Sequence, residues 1–221
     1  MDNSPLLPVI VATAAIGLIP FLVINTTAFL KISIVLFLVR NALGTQQTPP
    51  TLVLYAIAVV LTAYVSAPLA SQIYAKLTAP DVNFTTAEGM RAVASGVIEP
   101  LRASLERFAR SDERDFLLQA AKRIWPEDFY KSASPDDLLI VIPAFVTSEL
   151  TRAFEIGFLL YLPFIAVDLI VSNVLMAMGM VMVMVMVSPL VISMPFKIFL
   201  FVAISGWTRL LHGLLLSYAV P

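Results

Sequence analysis

The chain has 221 residues, 59% of them hydrophobic and 13% charged, a balance that leaves too little polar surface for a soluble domain of this size and marks a membrane protein. With 14 basic and 15 acidic residues, the charge excludes the basic footprint of a nucleic-acid binder. No cysteine is present, which excludes disulfides and thiolate metal sites.

The N-terminus, Met1-Asp2-Asn3-Ser4-Pro5, lacks the basic n-region of a secretory signal and runs into an apolar span longer than an h-region, so it reads as part of the mature chain. Leu6 to Val39 is apolar over about 34 residues, enough for one long membrane helix or two short legs. Pro20 and Asn25-Thr26-Thr27 favour a break. Lys31 lies inside this span, where a cation is expensive unless it faces protein or water. Arg40 nearby leaves two readings of it open, snorkelling to an interface and a functional placement. Arg40 to Thr51, with Gly44 and Pro49-Pro50, is a connecting loop. Leu52 to Ala70, with Pro68 near its end, is a second candidate membrane segment. Residues 1–75 therefore form an N-terminal region of hydrophobic helices.

Between Lys76 and Asp137 the character changes, with nine basic and eleven acidic residues in one interval. Residues 76–134 read as two or three amphipathic helices in water. Thr85 followed by Glu88 has the spacing of a capping box, and Leu101, Leu105 and Phe108 recur at helical spacing beside Arg102, Glu106 and Arg110. Phe116, Leu117, Ala121, Ile124 and Trp125 supply another apolar face, closed by Pro126. The charges read as solvated faces, with pairing between subunits as the alternative.

Residues 135–221 form the C-terminal region of kinked helices. Ser134-Pro135-Asp136-Asp137 has the chemistry of a helix start: a hydroxyl cap, proline in the first turn and acids at the positive end of the dipole. The apolar pattern then continues to about Val174 through Pro143 and Pro163, each of which removes an amide donor and is expected to kink the rod. Inside it, Glu149 and Glu155 each stand three residues from Arg152, so both acids can reach one guanidinium. Asp168 has no charged partner in the adjacent turns and needs one from elsewhere, or a wet cavity.

Six of the nine methionines occupy alternate positions from Met176 to Met186, within a loop spanning 176–189 and bracketed by Gly179 and Pro189. The period is that of an extended chain: the methionines face one way and Val181, Val183, Val185 and Val187 the other. Two readings stand, an apolar packing segment or a deformable lining, since unbranched methionine repacks around objects of varying shape. After the run, Pro195 opens a last helix through about Ala219, on which Lys197, Ser205, Arg209 and His212 fall within about 120° of one another as one polar stripe. His212, the only histidine, reads as a packing residue.

Two stretches carry a resemblance. Pro143-Ala144-Phe145-Val146-Thr147-Ser148-Glu149-Leu150-Thr151-Arg152-Ala153-Phe154-Glu155-Ile156-Gly157-Phe158 and Pro195-Phe196-Lys197-Ile198-Phe199-Leu200-Phe201-Val202-Ala203-Ile204-Ser205-Gly206-Trp207 resemble the two signatures of the FliP/SctR family, the core of the type III export gate in flagella and injectisomes. The likeness extends over nearly the whole chain, and the missing signal peptide favours the injectisome branch. It implies an all-α membrane protein of broken and kinked helices, with a helical charged middle on the periplasmic side and a Met-rich loop between the last two long helices. It also implies a pentamer in the bacterial inner membrane, joined by SctS-like and SctT-like subunits around a pore for unfolded polypeptides. The gasket sealing that pore would fall on Met178, Met180, Met182, Met184 and Met186, and subunit contacts on Glu149, Arg152, Glu155, Asp168, Lys197 and Arg209. Two departures stand out: the loop is about four residues longer than the family's, and Ser205 stands where the family usually has Asp.

The gasket has a physical logic of its own. A ring of apolar side chains narrower than a hydrated ion excludes water and ions, while flexible thioethers yield to a passing chain. No catalysis and no cofactor are expected, because there is one isolated histidine, no Gly-rich phosphate loop and no carboxylate pair outside a salt-bridge context. The rivals are a small-molecule or proton transporter using Lys31, Glu149 and Asp168, and a copper protein in which methionines ligate Cu(I).

Overall fold

A computed structural model describes residues 6–45, 47–79, 87–179 and 188–219. These residues form helices α1 (Leu6–Thr26), α2 (Phe29–Ala42), α3 (Thr51–Leu77), α4 (Ala87–Phe108), α5 (Ser111–Ile124), α6 (Glu127–Lys131), α7 (Leu138–Ala177), α8 (Pro189–Ala203) and α9 (Gly206–Leu216), with no strand among them. The chain divides into two compact units: residues 1–30 with 66–149, and residues 31–65 with 150–221.

In the first unit, the break after α1 has a visible cause. Asn25, Thr26 and Thr27 turn their side chains back to the carbonyls of Phe21, Leu22 and Val23, each at 2.7 Å. Such bonds compete with the helix ladder, so the polar triplet closes the helix while Pro20 stays inside it. The core of this unit joins Leu105 and Ala109 to Val141, Ala144 and Phe145 of α7, with Leu101, Phe108 and Leu117 packed around them. The apolar spacing read from the sequence thus marks the buried face of α4. Four ion pairs, Lys76–Glu99, Arg110–Asp112, Arg114–Asp136 and Lys131–Glu127, connect residues of this unit, three of them between well-exposed side chains. The Arg110 guanidinium beside Asp112 holds its carboxyl below the usual carboxylate range.

The start of α7 lies later than expected. Ser134 to Asp137 form a turn in which the Ser134 amide donates to the Asp137 carboxylate at 2.7 Å. The Asp137 carbonyl accepts from Val141 at 2.8 Å, so Asp137, not Ser134, occupies the capping place. Thr85, the other expected cap, lies outside the described residues.

In the second unit, Ile32, Val35, Leu36 and Val39 of α2 are buried at helical spacing, as are Leu54 and Ala58 of α3 and Ala153 and Phe164 of α7. Gly157 of α7 lets Leu38 approach closely: a Cβ there would stand 2.2 Å from the Leu38 Cδ1. α3 and α7 are long and apolar enough to cross a membrane, and two bent pairs, α1 with α2 and α8 with α9, also pass if each is taken as one span. Only 17% and 6% of the best spanning windows of α3 and α7 are buried, so these helices offer most of their surface to lipid or to other chains.

The last apolar stretch differs from the single helix expected from Pro195. The helix begins at Pro189, with Ser188 as a hydroxyl cap accepting the Leu190 amide, and Pro195 lies inside it. It ends at Ala203, and the chain bends by 62° into α9. Ser205 adopts the left-handed conformation (φ 56°, ψ 45°), and Gly206 lies so close to Phe201 that a Cβ would stand 2.3 Å from its ring. The polar stripe is therefore divided: Lys197 is buried in α8, whereas Ser205, Arg209 and His212 are exposed beyond the bend.

Candidate functional site

Three helices of the second unit meet at one ion pair. Asp168 of α7 accepts from Lys197 Nζ at 2.7 Å through one oxygen and from the Ser193 hydroxyl through the other. Ser193 and Lys197 stand four residues apart on α8, hence on one face of it. The same Nζ donates to the carbonyl of Ala42, the last residue of α2, at 3.2 Å. A helix leaves its final carbonyls without intrahelical partners and carries partial negative charge there, so an ammonium is well placed to close it. Side-chain exposure is 4% for Lys197 and 19% for Asp168, so the pair is nearly dry. Removing one member of such a pair strands a charge, at a cost of about 3–5 kcal/mol.

The pair borders a cleft of about 580 Å³ lined by Asn41, Thr45, Tyr161, Ser188 and Met194. An apolar groove of about 540 Å³ lies between α7 and α8, formed by Val171, Val174, Leu175, Ile192, Phe196 and Phe199. A second buried cation sits elsewhere in the unit: Lys31 is 1% exposed, with its ammonium 3.6 Å from the centre of the Tyr218 ring. It does not snorkel; the aromatic face takes the place of solvent.

The structure brings together two of the expected contact residues, Asp168 and Lys197, within one chain. The partner that Asp168 needed is on α8. Glu149 is fully buried in the other unit, Arg152 is half-buried, and Glu155 and Arg209 are exposed.

Of the methionine run, Met176 belongs to α7, and Met178 begins a turn. The Met178 amide bonds the Val174 carbonyl, and Gly179 (φ 74°) then takes the left-handed position that closes many helices. The extended reading therefore fails for Met176 and Met178: the helix runs to Ala177, about three residues beyond its expected end, and Met178 lies in the turn that closes it. Met178 is 68% exposed. Met180, Met182, Met184 and Met186 lie outside the described residues.

Ser193, Ala42 and Tyr218 were not legible as members of any site. Ser193 could have been found by its spacing from Lys197; a backbone carbonyl and a ring from the chain's far end leave no such signal.

A family profile described as the FliP family matches residues 12–214. The chain is 51% identical over 216 residues to "Probable translocation protein y4yL" of Sinorhizobium fredii, covering 98% of this chain and 96% of that protein. It is 43% identical over 209 residues to "Yop proteins translocation protein R" of Yersinia pestis, covering 95% and 94%. With "Harpin secretion protein HrpW" of Pseudomonas syringae it shares 47% identity over 204 residues, covering 92% and 96%.

Proposed function

The chain belongs to the FliP family, and from that premise we propose that it is the pore-forming core subunit of a type III export gate, passing unfolded polypeptides across the bacterial inner membrane. The observation that carries this reading is the near-full-length identity with proteins named for translocation and secretion. Two features support it. The spanning helices bury little of themselves within the chain, as expected of a subunit whose faces are completed by lipid and by other copies. The buried charges are held within the chain, Lys197 paired with Asp168 and the Lys31 ammonium set over the Tyr218 ring, as a rigid scaffold needs.

In this reading five copies, with SctS-like and SctT-like subunits, enclose the passage, and Met178, Met180, Met182, Met184 and Met186 form its seal. Glu155 and Arg209 are exposed and Arg152 is half-buried, so these three can meet neighbouring subunits. The mass of the detergent-extracted complex tests the assembly. Five copies with partner chains are expected; a monomer that moves a small solute alone in vesicles would replace this reading with the transporter.

A further inference from the structure

We propose that Asp168 and Lys197 form a latch that fixes the spacing of the two helical stems carrying the methionine-rich segment, and anchors that spacing to the end of α2. The proposal rests on the reading of the chain as a sealed export subunit. It concerns positioning, because neither residue belongs to the seal itself.

The placement of the pair is what suggests this role. Asp168 stands nine residues before Ala177, the last residue of α7, and Lys197 stands nine residues after Ser188, the cap of α8. At 1.5 Å per residue, each stem extends about 14 Å from the pair to its end. The bond thus closes the base of an α7–α8 hairpin at equal heights on its two legs. Toward the loop the groove between the legs is lined by Val, Leu, Ile and Phe, which offer no directional bond, and on the other side of the pair the buried Phe164 and Phe201 rings meet with centroids 6.2 Å apart.

The polar contacts do not slide. One carboxylate holds two residues a full turn apart on α8, so rotation or axial shift of either leg breaks at least one bond. The bond from Lys197 to the Ala42 carbonyl adds a third element, and Gly44 (φ 78°) turns the chain immediately beyond it. Lys197 is nearly inaccessible, so its ammonium depends on these protein partners, while Asp168 keeps an edge on the cleft. An arrangement that costs so much to open, set where the legs of a functional loop meet, is suited to holding those legs at one separation.

The test uses the assembled complex in its membrane extract. Spin labels on cysteines placed at Val174 and Leu190, both exposed on the two legs, report stem separation when labelled copies are diluted among unlabelled ones. Ion leak is measured on the same proteins in vesicles. Asp168→Asn and Lys197→Met are expected to broaden the distance distribution and raise leak several-fold, and Ser193→Ala to do the same to a smaller extent. The exchange Asp168→Lys with Lys197→Asp is expected not to restore the parent, because it turns a carboxylate toward the Ala42 carbonyl at the negative end of α2. Single variants of unchanged mass, stem separation and leak would overturn the latch, as would an exchanged pair that behaves like the parent. Should the charge variants fail to assemble, Ser193→Ala decides alone, since it keeps both charges; unchanged separation and leak in that protein overturn the proposal. Serine at Met182 and Met184 serves as the separate arm. If it leaves the complex tight, the seal reading fails; if it leaks while Asp168→Asn does not, only the latch fails.

Discussion

The Ser148 hydroxyl in α7 accepts the backbone amide of Arg110, thirty-eight residues away, at 2.9 Å, while donating to the Ala144 carbonyl at 2.7 Å. Arg110 is the capping residue of α5, and Ser148 is completely buried. A single hydroxyl therefore closes the junction of α4 and α5 against α7. Ser148→Ala leaves the Arg110 amide without this partner and is expected to cost about 1–3 kcal/mol. Thermal denaturation of the purified complex measures it; an unchanged midpoint would mean that water replaces the hydroxyl.

Gly157 of α7 and Leu38 of α2 are in close contact. A methyl group at Gly157 would also stand 3.3 Å from the Leu38 Cβ, so a rotamer change alone does not clear it. Gly157→Ala is expected to destabilise by about 1–3 kcal/mol through overpacking, and the Gly157→Ala with Leu38→Ala double variant to lose less than the sum of the two single losses. Additive losses in denaturation would place the two residues out of contact.

At the bend between α8 and α9, Ser205 holds a left-handed backbone that costs an L-residue roughly 1–2 kcal/mol. Ser205→Gly is expected to recover part of this and raise the thermal midpoint. Ser205→Val, with branching at Cβ, should lower it and impair assembly. Equal midpoints for the Gly and Val proteins would show that the bend is not held by this residue.

How much of this was visible in the sequence depends on whether the deciding contact was local. Leu101, Leu105 and Phe108 could be read as a buried face because helical spacing alone determines which side they share. The break after α1 was legible for the same reason, since Asn25, Thr26 and Thr27 act on carbonyls four residues back. Asp168 announced its need of a partner, but not which one: Lys197 is twenty-nine residues away across the methionine run. The division of the last helix was hidden because Ile204-Ser205-Gly206 has no proline and only one glycine. What turns the chain there is a backbone conformation at Ser205 together with the Phe201 ring against Gly206. The late start of α7 was misread because Ser134 and Asp137 both suit a cap, and only the carbonyl of Asp137 takes the first helical bond.

The seal is tested most directly by ion conductance and substrate export measured together on three proteins. One carries Met182, Met184 and Met186 replaced by Leu, one carries them replaced by Ser, and one lacks Met182-Val183-Met184-Val185. Leucine keeps apolar bulk at the cost of flexibility, so the Leu protein should stay tight and export more slowly. Serine admits water, so the Ser protein should leak. The deletion removes an even number of residues and preserves the alternation, so it should export and remain at least as tight as the parent. Equal leakage of the Leu and Ser proteins would contradict the seal. A Leu protein as inactive as the Ser protein, with neither leaking, would point to the thioether as a copper ligand instead.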